Sequence, residues 1–170
     1  MQQSSELSRV IPELESLIPE PQKGLPEPVF LLISRLTPLL GVDLLIQDSG
    51  GRTLLTWRDD KSYGPGWHVP GGILRFRESA ENRIREVARL ELGAQVEFDP
   101  APILIHESIR HNTRNRAHIV SMLYRCRLVT PPEASLRFDP TVLRPGQWQW
   151  HKSCPENLIR EQKTYECYFA

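Results

Sequence analysis

The 170-residue chain is short of several things, and each shortage excludes a class of protein. Its three cysteines, Cys126, Cys154 and Cys167, are odd in number and show no Cys-x-x-Cys spacing. That argues against a disulfide frame or a zinc site, and for free thiols in a reducing compartment, with the cytoplasm as the expected location. Net charge is absent, because 21 Lys and Arg balance 21 Asp and Glu. No global field is available to hold a nucleic-acid backbone or an anionic membrane, so an anionic ligand must be held locally. Long apolar runs are missing too. The stretch from Val29 to Ile33 is far too short to span a bilayer, and the start, MQQSSELSRV, has no charged-then-apolar signal pattern.

What is present, 39% hydrophobic and 25% charged residues, suits one globular domain with a short appendage. The best-marked stretch is WHVPGGILRFRESAENRIREVARLELG, from Trp67 to Gly93. Its Pro-Gly-Gly turn leads into a helix that Ser79 can cap and Gly93 can end in a left-handed residue. At about 100° per residue, Ala80, Ile84, Val87, Ala88 and Glu91 share one face, and Asn82, Glu86 and Arg89 lie opposite. A carboxylate on an apolar face needs compensation, so Glu91 requires a metal, a buried Arg or backbone amides. Gly71 and Gly72 permit close backbone approach beside it.

The chain before and after reads as support. Leu7, Val10, Ile11, Leu14 and Leu17 form a helical stripe that Pro12 is expected to break, followed by a stiff connector, PEPQKGLPEP. This predicts an arm over residues 1–26, packed on its own domain or serving a dimer, and a main domain over residues 27–170. Glu27 and Pro28 open a helix through about Leu36, and LLGVDLLIQ reads as a buried strand interrupted by Asp43. DSGG is a hairpin turn from which RTLLTW pairs back, ending at Arg58 at the start of a polar loop. The aromatics of the following loop and Trp67 could stack on a base or cover core. AQVEF, ILIHESIR, AHIVSMLYRCRL and QWQWH read as further strands, with His106 and His118 as structural residues. SCPENLIREQ reads as a helix capped by Ser153.

The Gly72–Gly93 stretch resembles the box of the Nudix hydrolases, Gly-x5-Glu-x7-Arg-Glu-aliphatic-x-Glu-Glu-x-Gly, with Gly72, Glu78 and Gly93 in place. The usual Arg falls on Glu86, and the usual metal carboxylates fall on Val87, Leu90 and Glu91, so the last alone is kept. The same departure marks the GDP-mannose mannosyl hydrolase branch, which VFLLISRLTPLLGVDLLI, AHIVSMLYRCRL and TYECYF also resemble. The resemblance implies an α/β fold, the Nudix α/β/α sandwich around a mixed β-sheet, and a homodimer. It implies Mg2+, or Mn2+, on Glu91 and the Gly71 carbonyl. It implies catalytic roles for Asp43, Arg58 and His111 and a diphosphate contact from Arg58; beside it, Arg75 is a candidate to reach phosphate from the turn, although Ile73 replaces the arginine that the branch carries directly after its glycine pair, and Trp67 is a candidate substrate contact. The expected reaction is hydrolysis of a nucleoside diphosphate sugar to free sugar and GDP by attack at the anomeric carbon. Ordinary Nudix attack on phosphorus and an inactive nucleotide-sugar-binding module are the alternatives. The branch's Gln-His loop pair is absent between Val129 and Gly146; Gln147 is adjacent, and Asp139 and His151 are candidate replacement bases.

Overall fold

The computed structural model describes residues 2–60 and 62–169, with side chains from residue 5 onward; residue 1 of the expected arm lies outside them. Helix α1 (Gln2–Ser16) is followed by a short 3-10 turn and by α2 (Glu27–Ile33). Pro12 does not break α1 as expected; its fixed φ of about −65° suits a helix, and only one intrahelical bond is lost. Leu7, Val10, Ile11 and Leu17 of this helix are exposed.

Strand β1 (Leu39–Ile46) runs through the middle of a five-stranded mixed sheet. It pairs parallel to β7 (His118–Leu128) and antiparallel to β4 (Gly71–Ile73). Strands β5 (Val96–Phe98) and β6 (Leu104–Ile109) both pair antiparallel with β7. A second, antiparallel sheet has the order β3 (Gly66–His68), β2 (Thr53–Arg58), β8 (Trp148–His151). The expected single hairpin of β1 and β2 is therefore corrected. Gln47 and Thr53 make one bridge across the DSGG turn, after which the strands part into different sheets. The reason lies in burial: both strands are covered on both faces and must each recruit other partners.

Helix α3 (Ala80–Leu92) packs on β1 and β4, burying Ile84, Val87, Ala88 and Leu92 in a core cluster with Val42, Leu44, Ile46 and Leu54. At roughly 1.5–3 kcal/mol per large apolar side chain, this face is what fixes the helix on the sheet. Its ends are those the sequence marks: the Ser79 hydroxyl accepts from the Asn82 N–H at 3.2 Å, and Gly93 sits at φ 59°. A second cluster, with Leu45, Leu55, Trp57, Trp67, Leu123 and Tyr165, lies under the C-terminal segment.

That segment differs from expectation. Residues 153–159 are not helical; Trp67 exchanges hydrogen bonds with Asn157 and Ile159 instead, and a 3-10 helix spans Arg160–Tyr168. Pairing of 157–159 with the edge strand β3 satisfies backbone groups that a helix there would leave unpaired on β3. Gln162 then ties the 3-10 helix to the main chain of Val69, accepting from its N–H at 2.7 Å. No helix among the described residues is long and apolar enough to cross a membrane.

Candidate active site

The site forms where the two sheets meet under α3. Leu44 N–H donates to the Pro70 carbonyl, so the next pair along the ladder, Asp43 opposite Gly71, makes no mutual hydrogen bonds. The Gly71 N–H and carbonyl then point away from β1, and the N–H donates to Glu91 Oε1 at 3.3 Å. Glu91 Oε2 accepts from the Thr56 hydroxyl of β2 at 3.1 Å. Glu91 thus bridges α3, β4 and β2. Gly71 must be glycine, because a Cβ there would collide with Asp43 Oδ1. Gly72 is equally constrained: its Cβ would lie 2.8 Å from Val87 Cγ2.

Asp43 is 8% exposed, in the middle of β1, and accepts from the Tyr165 hydroxyl at 2.6 Å. Burial raises its carboxyl to about 6, with the Tyr165 and Ser121 hydroxyls and the Arg58 charge pulling the other way. Burial likewise raises Glu91 to about 7; the Gly71 N–H, Thr56 and Arg58 oppose this, and the neighbouring Asp43 charge adds to it. His68, opposite Thr56 across the β2–β3 ladder, is driven down to about 3 by burial and by Arg58. Its Nδ1 faces the Val69 carbonyl at 2.8 Å and its Nε2 faces the Thr56 hydroxyl at 3.0 Å.

Asp43, Gly71, Arg58 and His68 line one cavity of about 250 Å³, which Tyr63, His106, Arg116, Glu161 and Tyr165 also line. Arg58 ends β2 with its Nε paired to Asp60 and its guanidinium over the Tyr63 ring. Among the described residues no three His, Cys, Asp or Glu side chains cluster as a metal cage. A buried carboxylate beside a second carboxylate and an off-ladder carbonyl is nevertheless a set of hard oxygen donors that fits magnesium, which takes its remaining ligands from water and substrate phosphates.

Other expected site residues lie elsewhere. Trp67 is 5% exposed and packs edge-on against Trp57, Phe138 and His151, so it is core and not a base-stacking surface. On β3 the period of two sends Trp67 into that core and its neighbour His68 to the site. His111 lies beyond the end of β6, in the turn that follows. Its ring is exposed and lines a separate surface groove, whereas His106 and Ser108 line the cavity. The reading of His106 as purely structural is corrected accordingly, while His118 pairs with Glu107 outside the cavity. Arg75 turns away after β4; its N–H donates to Glu78, and its side chain runs toward Gly24.

The replacement bases fare no better. Asp139 is exposed and caps Thr141, and His151 is packed against Trp67. Gln147 is buried and staples its own loop through Arg144 and Val142. The box positions agree with the helix wheel: Val87 is buried, Leu90 is 53% exposed, and Glu86 pairs with Arg89 on the outer face. Sequence reading passed over Arg83, 5% exposed, which makes a two-pronged ion pair with Glu78 at 2.6 and 2.8 Å. It also passed over His68, which stands beside the Pro-Gly-Gly turn but carries no motif of its own.

Solved structures share this fold. The MutT Nudix hydrolase of Burkholderia pseudomallei superposes with a TM-score of 0.58 at 20% identity, over 79% of this chain and 99% of that one. A UDP-X diphosphatase superposes with a TM-score of 0.55 at 16% identity, over 92% of this chain and 69% of that one. The Nudix hydrolase of Nitrosomonas europaea gives 0.52 at 16% identity, over 68% and 72%. The fold is therefore the Nudix fold. No family model matches the chain. One curated relative, the low-salt glycan biosynthesis protein Agl8 of Haloferax volcanii, is 37% identical over 62 residues, which is 36% of this chain and 39% of that protein's length.

Proposed function

We propose that the protein is a magnesium-dependent hydrolase of a nucleoside diphosphate sugar, of the GDP-mannose or GDP-glucose type, releasing the free sugar and GDP. The observation that carries this reading is the lone helical carboxylate, Glu91, joined through Gly71 to the cavity carboxylate Asp43, with Arg58 beside both. Attack on phosphorus in a standard Nudix site uses the further carboxylates that Val87 and Leu90 replace here. A site with one helical carboxylate suits a reaction in which the diphosphate only leaves. The glycan-biosynthesis role in the name of the Haloferax relative is in keeping with a nucleotide-sugar substrate.

In this reading water attacks the anomeric carbon, the bond from that carbon to the diphosphate oxygen breaks, and the water's proton passes to Asp43. A carboxyl poised near 6 inside a cavity is suited to taking a proton near neutral pH, and Tyr165 holds it in place. Arg58 receives the charge that develops on the leaving diphosphate. Magnesium, held by Glu91 and the Gly71 carbonyl, would neutralise the rest of that charge.

The test is incubation with GDP-mannose and GDP-glucose plus magnesium in oxygen-18 water, followed by mass spectrometry. Label in the free sugar is the expected result. Label in GMP or in a sugar phosphate would establish attack on phosphorus instead, and no product across a panel of nucleotide sugars would leave a binding module.

A further inference from the structure

Arg116 sits in the β6–β7 connection at φ 50°, a conformation that costs a non-glycine residue on the order of 1 kcal/mol. Something holds it there. Its N–H donates to the Ser34 hydroxyl at 3.1 Å, and Ser34 is 3% exposed. Its guanidinium lies over the Phe30 ring at 4.9 Å, on the wall of the cavity that contains Asp43 and Arg58. The Arg116 Nε is buried there with no hydrogen-bond partner. Arg58 pairs with Asp60 and the neighbouring Arg110 pairs with Glu161, but Arg116 has no carboxylate partner among the described residues.

Tyr63 couples these cations. Its ring lies under Arg58 at 5.0 Å and under Arg110 at 4.7 Å, and its hydroxyl donates to the Arg116 carbonyl at 3.5 Å. Arg58 and Arg116, from elements distant in sequence, line the same cavity, and Tyr63 touches the guanidinium of the first and the backbone of the second. A fixed guanidinium with an unused buried donor, on the wall of a cavity that a second guanidinium also lines, is matched by a ligand carrying adjacent negative groups.

We propose that Arg116 is a second anion-binding residue of this cavity, acting with Arg58 on the two phosphoryl groups of a diphosphate, with Tyr63 holding the pair in register. The assignment deepens the nucleotide-sugar reading and rests on it. A donor lost from a charged hydrogen bond typically costs tenfold or more in affinity, so the effect is readable by calorimetry.

Inorganic pyrophosphate and GDP are titrated into the full chain, in EDTA and again with magnesium. Arg116→Gln should weaken both at least tenfold, as should Arg58→Gln. Arg116→Lys should recover part of the loss, and Arg114→Gln, an exposed neighbour, should change nothing. If Arg116→Gln folds poorly, Arg116→Lys carries the test, with partial loss expected. Unchanged pyrophosphate and GDP binding in both Arg116 variants, with weaker binding in Arg58→Gln, overturns the role of Arg116 and leaves the hydrolase reading standing. Failure of the unsubstituted protein to bind either ligand overturns both.

Discussion

The Tyr165 hydroxyl donates to Asp43 Oδ2 at 2.6 Å, joining the C-terminal 3-10 helix to the middle of the central strand. The residues are far apart in the chain, and the contact opposes the burial that raises the cavity carboxyl to about 6. Tyr165→Phe removes a donor that favours the charged form, so the Asp43 carboxyl should rise above about 6. The acidic limb of the kcat/KM profile should move to higher pH, with GDP affinity little changed. An unmoved limb would show that Asp43 does not govern it.

Asp43 also carries a stability consequence of definite sign. Its carboxyl is raised from 3.8 to about 6 in the fold, so the folded protein binds the extra proton. The contribution is intact below 3.8 and is lost as pH rises through 6, on the order of 3 kcal/mol in all. Asp43→Asn should therefore raise the Tm relative to the unsubstituted protein at pH 7.5 and hardly alter it near pH 4. It should also lower turnover by about a hundredfold or more, as expected for loss of a positioned base.

Glu91→Gln should abolish magnesium-dependent turnover, whereas Glu86→Gln, which disturbs only an exposed pair with Arg89, should not. Because Glu91 is raised to about 7, protons compete with magnesium below that pH. Magnesium affinity should fall up to about tenfold for each pH unit below 7, and calorimetry at three pH values reads the slope.

Gly71→Ala places a methyl group against Asp43 Oδ1 and in the strand that also contacts Glu91. Turnover should fall by two or more orders of magnitude while the circular dichroism spectrum is kept. Retained activity would mean that the Asp43–Gly71 approach has no part in the reaction.

Arg83→Ala leaves the largely buried Glu78 without its ion-pair partner, with the Arg75 N–H still donating to it. The expected loss is roughly 3 kcal/mol or more of folding stability, measured by urea unfolding.

Much of this was legible in the chain. Ser79, Gly93 and the 3.6-residue period around Ile84 and Val87 specify α3 and its buried face locally, because capping and helix sterics act within a few residues. The same wheel turned Glu91 inward and Glu86 outward. The Gly71–Gly72 pair marked a close approach, although what approaches, Asp43 and Val87, was not readable.

The remainder depended on long-range pairing. In strands as short as β3 and β6, one residue of register decides which side chains face the cavity, and local sequence does not fix that register. So Trp67 lies outside the site, His68 and His106 border it, and His111 stands beyond β6 in the turn. The sequence alone determined the helix, its caps and the inward carboxylate, since these follow from periodicity and nearest-neighbour chemistry. Only the tertiary structure decided the parting of β1 from β2, the Tyr165–Asp43 contact and the gathering of Arg58 with Arg116, because those arise where surfaces remote in the chain bury one another.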